Sequence, residues 1–116
     1  MTFNVTGNKL NAILNQRSQD TLMANNWNVV QYSVLVHMFA QVSGLEVGEL
    51  VHVISDMHIY DRHIEMVKEL ISREPLPAPK FKMNKEIKNF YDFTVDDFEI
   101  TDYNYGKSLG KIPVAI

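Results

Sequence analysis

Apolar and polar positions alternate near the start of the chain, where Leu10, Ala12 and Leu14 fall in step with Asn11, Ile13 and Asn15 between them. A period of two is that of a strand covering a core with one face. Residues 2–5 and 9–15 are therefore predicted to be two strands, joined as a hairpin through Thr6, Gly7 and Asn8, because glycine and asparagine suit tight turns. A lone hairpin is marginal in water, so this one is expected to need further strands or a covering helix. From residue 29 to 42 the alternation disappears, and the run is apolar around most of a helical circumference. A run of that length without a turn signal predicts a buried helix, with Asn28 at or near its N-cap and Gly44 as its stop. His37 within it reads as a hydrogen-bonded core residue.

Further on, residues 46–49 read as a turn and residues 50–54 as a buried strand of β-branched character. Ile64, Val67 and Ile71 recur at helical spacing, which predicts a second, amphipathic helix ending near Ser72, Arg73 and Glu74, because Pro75, Pro77 and Pro79 forbid its continuation. Lys80, Phe81, Lys82 and Met83 alternate as an edge strand with outward lysines. Residues 84–87 are expected to start a short helical turn, and residues 92–100, acidic alternating with aromatic, to form a solvated face. The tail carries Gly106 and Gly110 as hinges and an apolar end, a layout suited to closing over a ligand. The pattern adds up to an α+β protein whose 116 residues form a single unit.

Polar chemistry concentrates at 15–20, Asn-Gln-Arg-Ser-Gln-Asp, which is expected to be a ligand-gripping turn completed by Asn28. Arg17 offers a planar fork of donors for a phosphate or carboxylate, Ser18 a hydroxyl, and Asp20 an acceptor. Gln16, Gln19 and Asn28 carry donor and acceptor together, as reading the edge of a planar heterocycle requires. Asp56, His58 and His63 suggest a metal, but their spacing fits no zinc template, so no metal is expected. If that segment is extended, His58 and Tyr60 face one side, where both can reach the same sugar hydroxyl.

Composition narrows the function classes. A formal charge of −3 leaves no electrostatic footprint for nucleic acid. No apolar run reaches the ~20 residues of a membrane span and no signal layout opens the chain, so a cytoplasmic protein without a membrane partner is expected. There is no cysteine, which removes disulfides, thiolate metal sites and thiol nucleophiles from this chain.

Taken together, 15–20, Asn28, His-Met-Phe-Ala-Gln at 37–41, Leu-Glu-Val-Gly-Glu at 45–49, Asp-Met-His-Ile-Tyr at 56–60, Ser-Arg-Glu-Pro at 72–75 and Pro-Val-Ala-Ile at 113–116 resemble the thymidylate synthase family. The resemblance is to roughly the C-terminal half of that methyltransferase, which converts dUMP to dTMP with 5,10-methylenetetrahydrofolate. It implies the C-terminal part of that fold, a mixed sheet with a long buried helix and a second amphipathic helix. It further implies that Arg17 and Ser18 hold the nucleotide phosphate, Asn28 the uracil edge, and His58 with Tyr60 the ribose 3′-hydroxyl. Gln16 would help to orient the substrate, Asp20 would face the folate pterin, and Ile116 would place its carboxylate in a lid over the folate. The implied partners are dUMP, folate, an N-terminal half and a second copy in a homodimer.

Two stretches depart from the family pattern: 24–27, Ala-Asn-Asn-Trp, and Ser55 where glycine is usual. The larger departure is the nucleophilic cysteine, whose segment would precede Met1. The chain is therefore expected to be an inactive fragment when alone. The alternatives are a non-catalytic pyrimidine-nucleotide binder or dimerisation module, or part of a pyrimidine nucleotide hydroxymethylase.

Overall fold

The hairpin forms, and its second strand runs well past the stretch that alternation marked. In a computed structural model describing residues 1–114, β1 (Thr2–Thr6) turns through Gly7, at φ 61°, into β2 (Lys9–Asp20). The left-handed backbone there is open to glycine at no steric cost. β2 pairs antiparallel with β1, Thr2 opposite Ile13, and parallel with β3 (Glu46–His58), Ser18 opposite Asp56. The sheet β1-β2-β3 is thus mixed, and α1 (Asn25–Val42) makes the crossover that parallel neighbours require.

Contacts divide the chain into two compact units. The first comprises residues 1–58 with 85–93, and the second residues 59–84 with the segment from Thr94 onward.

In the first unit Leu10, Ala12 and Leu14 are buried as predicted, while Ile13 between them is exposed. Phe3, on the same face through its pairing with Ala12, meets Phe39 of α1 edge-on at 5.3 Å. Phe39 in turn stacks on Phe90 at 4.9 Å, and Gln41 Nε2 donates to the Ile87 carbonyl at 2.9 Å. Residues 84–87 give a turn and no helix.

Five expectations are corrected here. Residues 15–20 are strand, not turn, because their backbone groups pair with β3 and that pairing outweighs local turn preference. Residues 46–49 are strand as well. Gly48 serves a bulge, where pairing shifts between Leu10 and Ala12 and Asn11 Oδ1 accepts the Glu49 N–H at 3.0 Å. A Cβ on Gly48 would stand 2.8 Å from the Leu10 carbonyl oxygen, which is why a residue without one sits there. Asn28 does not cap α1: the helix begins earlier, with Ala24 in the cap position, leaving Asn28 in its first turn. Nor is α1 buried all round or β3 buried on both faces. Val36 and Ala40 are buried, whereas Trp27 is 77% exposed and Val51 and Val53 are exposed beside half-buried Leu50, His52 and Ile54.

Gly44 does end α1. With φ 67° it lets its own N–H reach the Gln41 carbonyl at 3.1 Å, and the Leu45 N–H reach that of Ala40 at 2.9 Å, the paired bonds of a Schellman stop. Burial and the charge of Lys85 hold the His37 imidazole below its ordinary pKa, so the fold favours the neutral ring, although His37 is half-buried and not in the core.

In the second unit a 3₁₀ turn (Asp61–His63) leads into α2 (Ile64–Ile71), which stops at Ser72 ahead of the prolines. β4 (Lys80–Met83) pairs antiparallel with β5 (Phe98–Thr101), with Phe81 stacked on Phe98 at 6.3 Å and the lysines outward as predicted. His63 is fully buried, with Nε2 2.7 Å from the Pro113 carbonyl. Arg73 Nη1 donates to the Lys107 carbonyl at 2.7 Å. Among the described residues, no helix is long and apolar enough to cross a membrane.

Candidate functional site

Side chains of a strand leave alternate faces, so Gln16, Ser18 and Asp20 continue the face begun by Leu10, Ala12 and Leu14. Parallel pairing brings the same face of β3 alongside: His52 opposite Leu14, Asp56 opposite Ser18, His58 opposite Asp20. The apolar residues pack at one end of this face and the polar ones line the other.

Gln16 is the centre of the polar end. Its Nε2 lies 2.9 Å from the Ser18 carbonyl and 3.0 Å from Asn28 Oδ1, and its Oε1 lies 2.8 Å from His52 Nε2. Ser18 Oγ reaches Asp56 Oδ2 at 3.4 Å, a long hydrogen bond, and the same carboxylate oxygen stands 3.6 Å from His58 Nδ1. Asp20 Oδ1 accepts the N–H groups of Leu22 and Met23, each at 3.1 Å, and so holds the turn that leads into α1. Among the described residues its other oxygen makes no hydrogen bond. Thr21 closes the strand end by donating its N–H and its hydroxyl to the His58 carbonyl at 3.0 and 2.8 Å.

Of the residues singled out from sequence, Gln16, Ser18 and Asn28 are joined directly, and His58 is linked to Ser18 through Asp56. Arg17 is exposed and, among the described residues, its side chain makes neither hydrogen bond nor ion pair. As a neighbour of Ser18 in a strand it leaves the opposite face. Tyr60 belongs to the second unit, where its ring meets His63 edge-on at 5.8 Å. Ile116 lies outside the described residues.

Sequence reasoning missed His52, read only as part of a buried strand, and considered Asp56 only as a metal ligand. Both lie an even number of residues before His58, and period-two counting back from it would have put them on its face. Gln19 was also under-read, being buried to 1% exposure. Among the described residues no group of three His, Asp or Glu is placed to hold a metal ion.

The thymidylate synthase family model matches residues 1–116, the whole chain. The chain belongs to the thymidylate synthase family. Its sequence is 50% identical over 114 residues to a thymidylate synthase of Mycoplasma mobile, an alignment covering 98% of this chain and 39% of that protein. It is 48% identical over 101 residues to the thymidylate synthase of Bacillus licheniformis, covering 87% and 36%. The fold superposes on the thermostable thymidylate synthase A of Bacillus subtilis with a TM-score of 0.94 at 43% identity, over 98% of this chain and 41% of that one. The chain thus spans about two fifths of the length of these thymidylate synthases, and the mixed sheet with its helices is that of the family. Thymidylate synthases are methyltransferases, yet this chain holds no cysteine.

Proposed function

We propose that this chain supplies the nucleotide-gripping part of a thymidylate synthase, one that methylates dUMP with 5,10-methylenetetrahydrofolate. The observation that carries the reading is the bond from Gln16 Nε2 to Asn28 Oδ1, which holds a side-chain amide in a fixed orientation, while the same Gln16 Nε2 donates to the Ser18 backbone carbonyl. A base edge needs a donor and an acceptor in fixed order, and a held amide provides them without reorganisation. In this reading Asn28 meets the uracil edge, with Gln16 behind it. Arg17, which leaves β2 on the face opposite Ser18 and whose guanidinium has no partner among the described residues, is the cation this reading assigns to the phosphate, with Ser18 as a second donor. His58 meets the ribose hydroxyl.

The folate, when bound, supplies the one-carbon unit and its reduction to methyl. The oxygen of Asp20 not engaged by Leu22 and Met23 is the group that fits its pterin, and Ile116 belongs to the lid. The reading extends to a cytoplasmic protein acting as one unit, with an N-terminal half and a second copy as partners. The exposed apolar row of Ile13, Val51 and Val53, on the sheet face opposite α1, suits a homodimer contact.

Calorimetric titration with dUMP and with deoxyuridine tests the site. Arg17→Ala is expected to weaken dUMP binding by about 1.5–3 kcal/mol, the range for a hydrogen bond to a charged group. It should leave deoxyuridine nearly unaffected. Equal losses for both ligands would make Arg17 structural and remove the phosphate clamp.

A further inference from the structure

We infer that His52, through Gln16, sets which way round Asn28 presents its amide, and so acts as a positioning residue for base selection. The inference rests on the reading of Asn28 as the residue that meets the base, and it starts from an atom whose character is not in question. The Ser18 backbone carbonyl can only accept a hydrogen bond. Gln16 approaches it at 2.9 Å, so the amide end there must be the NH₂ group. The other end of Gln16, 2.8 Å from His52 Nε2, is therefore the carbonyl oxygen, and His52 must carry its proton on Nε2 to donate. The second N–H of Gln16 points to Asn28 at 3.0 Å, where the facing atom has to be an oxygen. Asn28 is left with its NH₂ turned away from Gln16, free to donate to a ligand.

An NH₂ group at that place donates to the 4-carbonyl of uracil and opposes the 4-amino group of cytosine, which also donates. Reversing Asn28 would require Gln16 to reverse. That would set the Gln16 oxygen against the Ser18 carbonyl and, as long as the His52 proton stays on Nε2, its NH₂ against the His52 N–H, two unmade hydrogen bonds in a part-buried cluster. His52 supplies one of these two penalties while itself standing a side chain away from the base. It lies on the same face of β3 as Asp56 and His58, opposite Leu14 in the pairing.

The test uses the full ¹⁵N-labelled chain in three versions, wild type, His52→Phe and His52→Gln, with dUMP and dCMP as ligands. Ring ¹⁵N signals report the histidine tautomer without any ligand, and side-chain amide exchange reports how firmly Gln16 and Asn28 are held. The wild type should carry the His52 proton on Nε2. In His52→Phe, exchange of both amides should quicken about fivefold, the equivalent of one neutral hydrogen bond, and the preference for dUMP over dCMP should narrow by a similar factor. In His52→Gln, a terminal N–H of similar reach should restore both.

A wild-type proton on Nδ1 overturns the inference whether or not the variants fold. So does a folded His52→Phe with unchanged exchange and unchanged preference. If the wild type binds neither nucleotide while the tautomer and the exchange effect are as expected, the relay is upheld, and what falls is the nucleotide reading of the site.

Discussion

Given dUMP and methylenetetrahydrofolate, this chain by itself is expected to form no thymidylate. The family's reaction begins with addition of a nucleophile to the pyrimidine ring, and the chain has no cysteine to make that bond. The nearest substitute in the polar cluster is the Ser18 hydroxyl, whose carboxylate neighbour among the described residues is exposed Asp56 at 3.4 Å. A serine without a close, buried base is a poor nucleophile. Removing an enzyme's nucleophile costs on the order of a millionfold in rate even when the binding groups stay in place. Release of tritium from 5-tritiated dUMP checks the expectation, since exchange at that carbon follows ring addition. Release above the buffer background, in protein free of any companion subunit, would overturn it and require another nucleophile among the residues present.

Leu14→Ala is expected to cost about 2–5 kcal/mol of folding stability, while Ile13→Ala, one residue away, costs under about 1 kcal/mol. Leu14 is 5% exposed on the face that α1 covers, whereas Ile13 is 39% exposed on the other. The described core of the first unit is small: Leu10, Ala12, Leu14, Val36 and Ala40 are its buried apolar residues. Domains of this size are stable by about 5–15 kcal/mol, so one lost leucine consumes a large share. Urea denaturation of both variants beside the wild type measures the difference. Similar losses at the two positions would mean that the sheet buries its faces differently from the arrangement described above.

What sequence reading reached was whatever a few neighbouring residues decide between them. The hairpin around Gly7, the end of α2 before Pro75 and the outward lysines of β4 follow from period-two alternation or from proline sterics, and they stand where expected. The polar stretch 15–20 looked like a turn because its strand character comes from pairing with residues 53–58, far away in the chain. Gly48 misled for a similar reason, since a bulge opposite Asn11 is visible only once the two strands are set side by side. Of the candidate site, the residues that the structure joins, Gln16, Ser18 and Asn28, had been singled out by group chemistry and by the family's blocks. His52 was not, because an imidazole within an apolar strand declares nothing until its partner is known.

The crossover from β2 through α1 to β3 also decides when a binding surface can exist. Ser18 and Asp56 are 38 residues apart in sequence, and Gln16 and His52 are 36 apart. Contacts of that separation form only after the loop-closure entropy has been met, which places them among the slow steps of folding. The polar row is therefore no preformed patch that a partly folded chain could offer. Ligand affinity should appear together with the last cooperative step of refolding, so that a bound nucleotide would act as a clock for completion of the sheet.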